Sequence, residues 1–246
     1  MDQNKLLIPH GQSPTTPDYI LQIPTSIRYV LGAGLFSGLA GLVLTFTVPE
    51  TQRPIAYSLL IVGVLAAVLT LLLVTVTGSR GRLRARQTIM NAITWRGDEK
   101  VLDVGCGNGF LLLEAAKHLT SGQAIGIDIW QDVAGRQNAD ILRRNAQIEG
   151  VTSRIDLKNV DARAMPFEVE TFDVILSSLA LHHMGTGSDR EQALQEMIRV
   201  LKPGGVILLY DMFPMIGQAA AAMRQHGFSR VKKLRGLAMV VLSANK

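Results

Sequence analysis

Cysteine is nearly absent: Cys106 is the one thiol in 246 residues. No internal disulfide can form, and the chain suits a reducing compartment. No Cys/His group has zinc-site spacing, so no metal is expected. Charged residues are scarce at 18% and aromatics at 5%, whereas the hydrophobic share is 48%, high for a soluble enzyme. Residues 1–26 lack a basic stretch followed by an apolar one and a small-residue cleavage site, which argues against a cleaved signal peptide. They carry Pro9, Pro14, Pro17 and Pro24 and predict a disordered, mobile tail.

Charge is missing altogether from residues 29–48 and 55–77. Each run is long enough to cross a bilayer core as a helix. Pro49 and Pro54 bracket a short polar connector between them. The pattern predicts a two-helix transmembrane hairpin over 27–78, with every backbone polar group satisfied inside its own helix. Arg28 precedes the first run, Arg80, Arg82, Arg84 and Arg86 follow the second, and the connector holds one Arg and one Glu. The positive-inside bias then places both termini, and everything after residue 78, on the cytoplasmic side of a plasma or inner membrane. No aromatics interleave with those arginines, so they read as a headgroup anchor rather than a nucleic-acid contact. Gly34 and Gly38 allow close helix packing, either within the hairpin or in a homodimer.

Residues 79–99 form a basic linker and lead-in helix, the helix expected over 84–95 from the spacing of Ile89, Met90 and Ile93. From residue 100 the pattern alternates strands and helices. Strands are expected at 100–104, 124–128, 155–158, 172–177, 206–211, 230–234 and 239–244, and helices at 110–119, 133–149, 190–201 and 216–226. Crossovers link the first five strands, which implies a mostly parallel sheet with helices on both faces. The last two strands are close enough for a hairpin with an antiparallel edge strand. This α/β, Rossmann-like domain of seven strands occupies 100–246.

The stretch that organises it is V-L-D-V-G-C-G-N-G-F at 101–110. A buried strand runs into a turn with Gly105, Gly107 and Gly109, and then into a helix. Glycines permit positive φ and close approach of a ligand to the backbone. A dinucleotide fingerprint would read G-x-G-x-x-G, but Phe110 stands one residue after the third glycine here. Asp103, two residues before the first glycine, would repel a pyrophosphate and suits a ligand with an ammonium group.

This run resembles motif I of the class I S-adenosylmethionine (SAM)-dependent methyltransferases. The resemblance implies that SAM is the cofactor and that Asp103, Gly105, Gly107, Asn108 and Gly109 help to hold it. Asp128, at the end of the second strand, is placed to accept from the ribose hydroxyls, with Ile129 against the adenine face. Asp161 and the Ala162 backbone N–H correspond to the adenine-edge contacts of such enzymes. Ser178, at the end of the fourth strand, should face the methionine part. Leu179-Ala-Leu-His182-His183-Met184 after the fourth strand and L-K-P-G-G at 201–205 extend the likeness, which is greatest to the branch containing quinone-biosynthesis C-methyltransferases. His182 and His183 then act as general base near neutral pH or merely shape the loop over the cofactor. The N-P-P-Y type motif of amino-directed enzymes is absent, which disfavours a nitrogen acceptor in nucleobase or amide. The expected protein is thus a membrane-anchored methyltransferase acting on a small lipophilic acceptor such as a quinone precursor, isoprenoid or lipid. A SAM-binding scaffold or sensor, and a nicotinamide-dependent oxidoreductase, are the other readings.

Overall fold

The computed structural model describes residues 16–19, 25–77, 79–130, 138–234 and 239–246. Helices α1 (Thr25–Thr47) and α2 (Arg53–Thr77) form an antiparallel pair joined by a 3-10 turn at Glu50–Gln52. Both contain a segment long and apolar enough to cross a membrane. Only 17% of each apolar window is buried within the described residues. Leu35, Phe36, Leu39, Ile61, Val62 and Leu65 point outward. The pair touches through glycine: a Cβ at Gly63 would run into the Gly38 backbone, and one at Gly41 into that of Leu60. The glycine pattern of α1 therefore serves packing against α2, which leaves the backbones close enough for many weak dispersion contacts.

Helix α3 (Ser79–Asn91) follows α2 almost directly. It starts earlier than the spacing of its apolar residues suggested, because the Arg-rich stretch contains good helix formers and no proline. It also stops earlier. Ala92 and Ile93 make tight i→i−3 hydrogen bonds, and Trp95 folds back so that its indole N–H donates to the Met90 carbonyl at 3.1 Å. Trp95 then stacks on His118 with centroids 4.9 Å apart.

The strands are β1 (Lys100–Val104), β2 (Gln123–Asp128), β3 (Ile155–Asn159), β4 (Phe172–Ser178), β5 (Leu201–Met212), β6 (Arg230–Leu234) and β7 (Met239–Asn245), in the order β3-β2-β1-β4-β5-β7-β6. The first five pair in parallel, as expected from the crossovers. The antiparallel member is β7, which enters between β5 and the outermost β6. Strand β5 begins earlier than expected: Phe172 pairs with Leu201 and Val174 with Val206, so the Lys202–Gly205 turn bulges out within the strand. Gly204 takes φ +78° there, which a side chain would strain.

Alternation along the strands divides the core. Leu102, Val104, Ile125 and Ile127 pack toward α6 (Gly187–Val200) and α7 (Phe213–Gln225). Val101, Ala124, Val174 and Leu176 pack toward α3, α4 (Leu112–Lys117) and α5 (Ala139–Ile148). Ile89 and Met90 of α3 are fully buried in the second layer. Helix α5 starts on Asn138, whose side-chain oxygen accepts from Ile141 N–H at 2.8 Å; the expected start at 133 lies outside the described residues.

Pro17, Asp18 and Tyr19 depart from the mobile tail expected of 1–26. The Asp18 N–H donates to the Asn145 side chain at 2.9 Å, and its carbonyl accepts from Asn145 at 2.8 Å and Asn108 at 3.2 Å. The Tyr19 hydroxyl donates to Glu149 at 2.6 Å, and its ring meets Phe110 edge-on at 5.8 Å. Prolines deny this segment a helix or strand but leave it free to lie extended, where a buried asparagine reads its backbone. Residues 1–15 and 20–24 lie outside the described residues, and Thr25 and Ser26 already belong to α1.

A substitution of Gly63 by Leu should separate α1 from α2 and destabilise the full-length protein by about 1–3 kcal/mol, as overpacking does. Thermal unfolding in detergent checks this. Gly32→Leu, where a Cβ meets nothing within 4 Å, should leave the melting temperature unchanged.

Candidate active site

The carboxyl ends of β1, β2 and β4 open on a cavity of about 670 Å³. Sheet order reverses between β1 and β4, so their outgoing loops diverge and leave a crevice there. Every residue singled out in the sequence lines it except Gly109. Gly109 instead shapes the turn, taking φ +88° and donating to the Cys106 carbonyl at 2.8 Å.

The turn is tied to β2. Gly105 and Cys106 N–H both donate to the Ile127 carbonyl, at 2.9 and 3.1 Å. Gly107 N–H donates to Asp128 Oδ2 at 2.9 Å, and Trp130 N–H to Asp128 Oδ1 at 2.8 Å. The Trp130 indole N–H returns to the Gly107 carbonyl at 3.1 Å. Gly105 and Gly107 take φ +71° and +51°, and a Cβ at Gly105 would collide with Ala180. Glycine is thus required twice, for conformation and for contact with the loop after β4. Ile129, 43% exposed, stands at the cavity rim beside Asp128.

Asp103 is 1% exposed, and its Oδ1 has no hydrogen-bond partner among the described residues. Burial pushes its carboxyl up to about 7; the Leu112 backbone N–H opposes this and the nearby Asp128 charge adds to it. The Ser178 hydroxyl is likewise buried without a partner among the described residues. Asp161 is different. Arg163 donates to both of its carboxylate oxygens at 2.6–3.0 Å and holds it below the usual carboxylate range. Ala162 is nearly buried beside it.

After β4 the chain turns sharply. Leu179 adopts φ +56°, strained for a branched side chain, and its N–H donates to the Tyr210 carbonyl at 2.7 Å. His182 and His183 follow in a 3-10 turn, with ring centroids 4.0 Å apart. His182 Nδ1 lies 2.8 Å from Asp211 Oδ1. Asp211 sits near the end of β5, 1% exposed; Oδ1 also accepts from Met212 N–H at 2.7 Å. A carboxylate only accepts, so His182 donates from Nδ1 and keeps Nε2 as its basic nitrogen. Burial and the neighbouring His182 lower the pKa of His183, while Asp211 opposes them.

Asp211, Tyr19, Arg82 and Trp130 were not singled out as site residues in the sequence. For Asp211 a signal existed, since it ends a strand pointing at the crevice. Tyr19 and Arg82 reach the cavity from outside the sheet domain, and no spacing rule connects them to it.

Residues 102–209 match the methyltransferase-domain family. A ubiquinone/menaquinone biosynthesis C-methyltransferase, UbiE, of Idiomarina loihiensis is 34% identical over 131 residues, 53% of this chain and 49% of that protein. UbiE of Cronobacter sakazakii is 33% identical over 158 residues, 62% of this chain and 59% of that protein. Probable methyltransferase ltbC of Aspergillus luteorubrus is 35% identical over 111 residues, 45% of this chain and 39% of that protein. The chain therefore spans about half the length of these relatives. Among solved structures, a SAM-dependent methyltransferase from Aquifex aeolicus superposes with a TM-score of 0.54 at 18% identity, covering 65% of this chain and 88% of that one. The [4+2]-cyclase SpnF superposes at 0.55 and 20% identity, covering 66% and 80%. These two likenesses show the shared fold.

The buried carboxyl of Asp103 makes stability of the ligand-free protein depend on pH. Its folded pKa is raised above the ordinary value of 3.8. Stability from this group is complete below about pH 4 and is lost as pH rises through about 7, by on the order of 4 kcal/mol. Melting temperatures across that range should fall for the wild type, with a shallower slope for Asp103→Asn.

Proposed function

We propose that the chain is a class I SAM-dependent methyltransferase, a reading that the family match over residues 102–209 and the UbiE relatives support, and that it is a membrane-anchored enzyme which transfers the methyl group of SAM to a small lipophilic acceptor. The cavity's chemistry fits the cofactor. The Asp103 oxygen that has no partner among the described residues suits an ammonium, and the Ser178 hydroxyl suits the same amino-acid end. Asp128, held by two backbone N–H groups, keeps lone pairs for ribose hydroxyls. Ile129 offers an apolar surface for adenine, and Ala162 N–H and Asp161 its polar edge. An adenine amino group would share Asp161 with Arg163.

When bound, SAM supplies a methyl group on a positively charged sulfur, an already activated leaving group. The protein has only to align the acceptor, exclude water and take up a proton. His182 is the base in this reading. Asp211 fixes its tautomer and stabilises the imidazolium formed when Nε2 accepts a proton. Such a base serves an acceptor that loses a proton from oxygen or carbon. His183, with its lowered pKa, stays neutral beside it and shares the wall.

The observation that carries the lipophilic acceptor is where the hairpin's two ends lead. Tyr19 precedes α1 and Arg82 follows α2, and both line the cavity mouth. Beside them Arg86, one turn beyond Arg82 on the same helix, lies 5.7 Å from the Tyr19 ring centroid. A mouth gripped by both flanks of an apolar hairpin opens close to the bilayer. The apolar outer surface of the pair suits lipid, and the arginines after it suit a cytoplasmic, anionic face.

Full-length protein with methyl-labelled SAM, offered membrane-lipid extract and soluble metabolite extract separately, should label a product in the lipid extract. Label in the soluble extract alone would overturn the lipophilic acceptor, and no label in either would overturn transfer. With the labelled acceptor in hand, His182→Gln should lower kcat by about 10²–10⁴-fold with SAM affinity unchanged, and Asp211→Asn should lower it in the same direction. A variant that instead loses SAM affinity and keeps its kcat would return His182 to loop shaping.

SAM affinity should also fall with acidity. An ammonium favours ionised Asp103, so binding below about pH 7 must first remove its proton. Calorimetric titration should show affinity dropping up to tenfold per pH unit below 7, with proton release, and Asp103→Asn should abolish the release.

A further inference from the structure

We propose that Asn145 is a positioning residue that ties the Pro17–Tyr19 segment to the glycine turn, so that this strap must lift before the cofactor leaves the cavity. The inference deepens the methyltransferase reading and rests on its cofactor. Asn145 lies on α5, completely buried, and stands behind the turn rather than in the cavity lining. A buried side-chain amide is costly unless its donors and acceptor are used. Here all are used. Oδ1 accepts from the Asp18 N–H at 2.9 Å, and Nδ2 donates to the Asp18 carbonyl at 2.8 Å and to the Asn108 carbonyl at 3.0 Å. The amide thus pairs with both backbone groups of Asp18, as a neighbouring strand would, while its second N–H holds the turn. Asn108 closes the triangle, with its own Nδ2 donating to the Asp18 carbonyl at 3.2 Å. An ionised aspartate could not replace Asn145, because a carboxylate has no N–H to give.

The next residue carries the contact into the site. Tyr19 lines the cavity together with Asn108 and Phe110. Its hydroxyl donates to Glu149 at 2.6 Å, one helical turn after Asn145. Burial and the Glu149 carboxylate both raise the Tyr19 pKa, so the hydroxyl keeps its proton and stays a donor. Phe110 meets the ring edge-on, and Arg86 of α3 stands over it. Lifting the strap takes two of its three bonds from Asn145 and removes the Tyr19 wall of the cavity. The same motion parts Asp18 from Asn108, within the turn that faces the cofactor. Docked strap and pinned turn are therefore one hydrogen-bonded unit. Helix α1 begins at Thr25, six residues after Tyr19, so a lifted strap stays tethered and docks again as an intramolecular step.

The test uses full-length protein in detergent, loaded with methyl-labelled SAM. Release is timed after excess unlabelled S-adenosylhomocysteine is added, and amide hydrogen exchange at Asp18 is followed in the same complex. Tyr19→Phe removes one hydrogen bond and keeps the ring on the cavity. It should speed exchange at Asp18 and release of SAM by the same factor, about three- to tenfold. Asn145→Ala should speed both in step by roughly tenfold or more, with exchange along β1 unchanged. Faster exchange along β1 as well marks a merely weakened fold and would overturn the positioning role. Release at the wild-type rate while Asp18 exchanges faster would overturn the gate, as would faster release without faster exchange, or no change in either. Tyr19→Phe decides the question if Asn145→Ala does not fold. No SAM binding by the wild type would overturn the methyltransferase reading and the gate with it, whereas binding with release uncoupled from the strap overturns the gate alone.

Discussion

The site depends on one anchorage, the tie between the glycine turn and the end of β2. The Ile127 carbonyl takes two N–H groups of the turn and the Asp128 carboxylate takes a third. A chain with three glycines has many conformations, and fixing one costs entropy that these bonds offset. Once pinned, the turn presents its backbone to the crevice and leaves room for Ala180 against Gly105. The loop after β4 can then come in, bringing the histidines. Ser177 adds a buried bond from its hydroxyl to the Val104 carbonyl at 2.9 Å, which locks β4 beside β1 beneath the same loop.

Around this anchorage the chain collects acids where a folded protein usually avoids them. Asp103 and Asp211 are almost fully buried at the carboxyl edge of the sheet. Each keeps an oxygen with no partner among the described residues. Burying such atoms destabilises the unliganded protein, and ligand or proton then recovers the loss. Arg82 of α3 brings the opposite sign to the same crevice. It comes from the segment that follows the apolar hairpin, and the Pro17–Tyr19 segment comes from the other side of it. Hairpin and pocket are therefore parts of one assembly: displacing the hairpin would move both walls of the mouth.

The sequence was most legible where local rules and the fold agree. Alternating apolar residues marked the strands, and their crossovers implied a parallel sheet, because short local periods survive into the tertiary structure. The glycine turn, the acids at strand ends and the histidine pair were legible because a parallel α/β sheet always places its strand ends at one crevice. Boundaries were less legible. The 201–205 turn became a bulge inside β5 because Lys246, at the far end of the chain, pairs with its backbone. Helix α3 ended early because Trp95 found Met90 and His118. Both outcomes rest on partners distant in sequence, which no window contains.

The sequence by itself determined the apolar hairpin, the seven-stranded domain and the glycine turn with the acid that precedes it, since each follows from composition, period or spacing along a short stretch, and a family resemblance added other residues around the crevice. Only the tertiary structure decided that Asp211 orients His182, that Pro17–Tyr19 packs onto the domain and that Arg82 and Arg86 turn inward while Arg84 faces out. The reason is physical: a side chain's partner is set by where distant segments meet, and its charge by how much water that meeting removes.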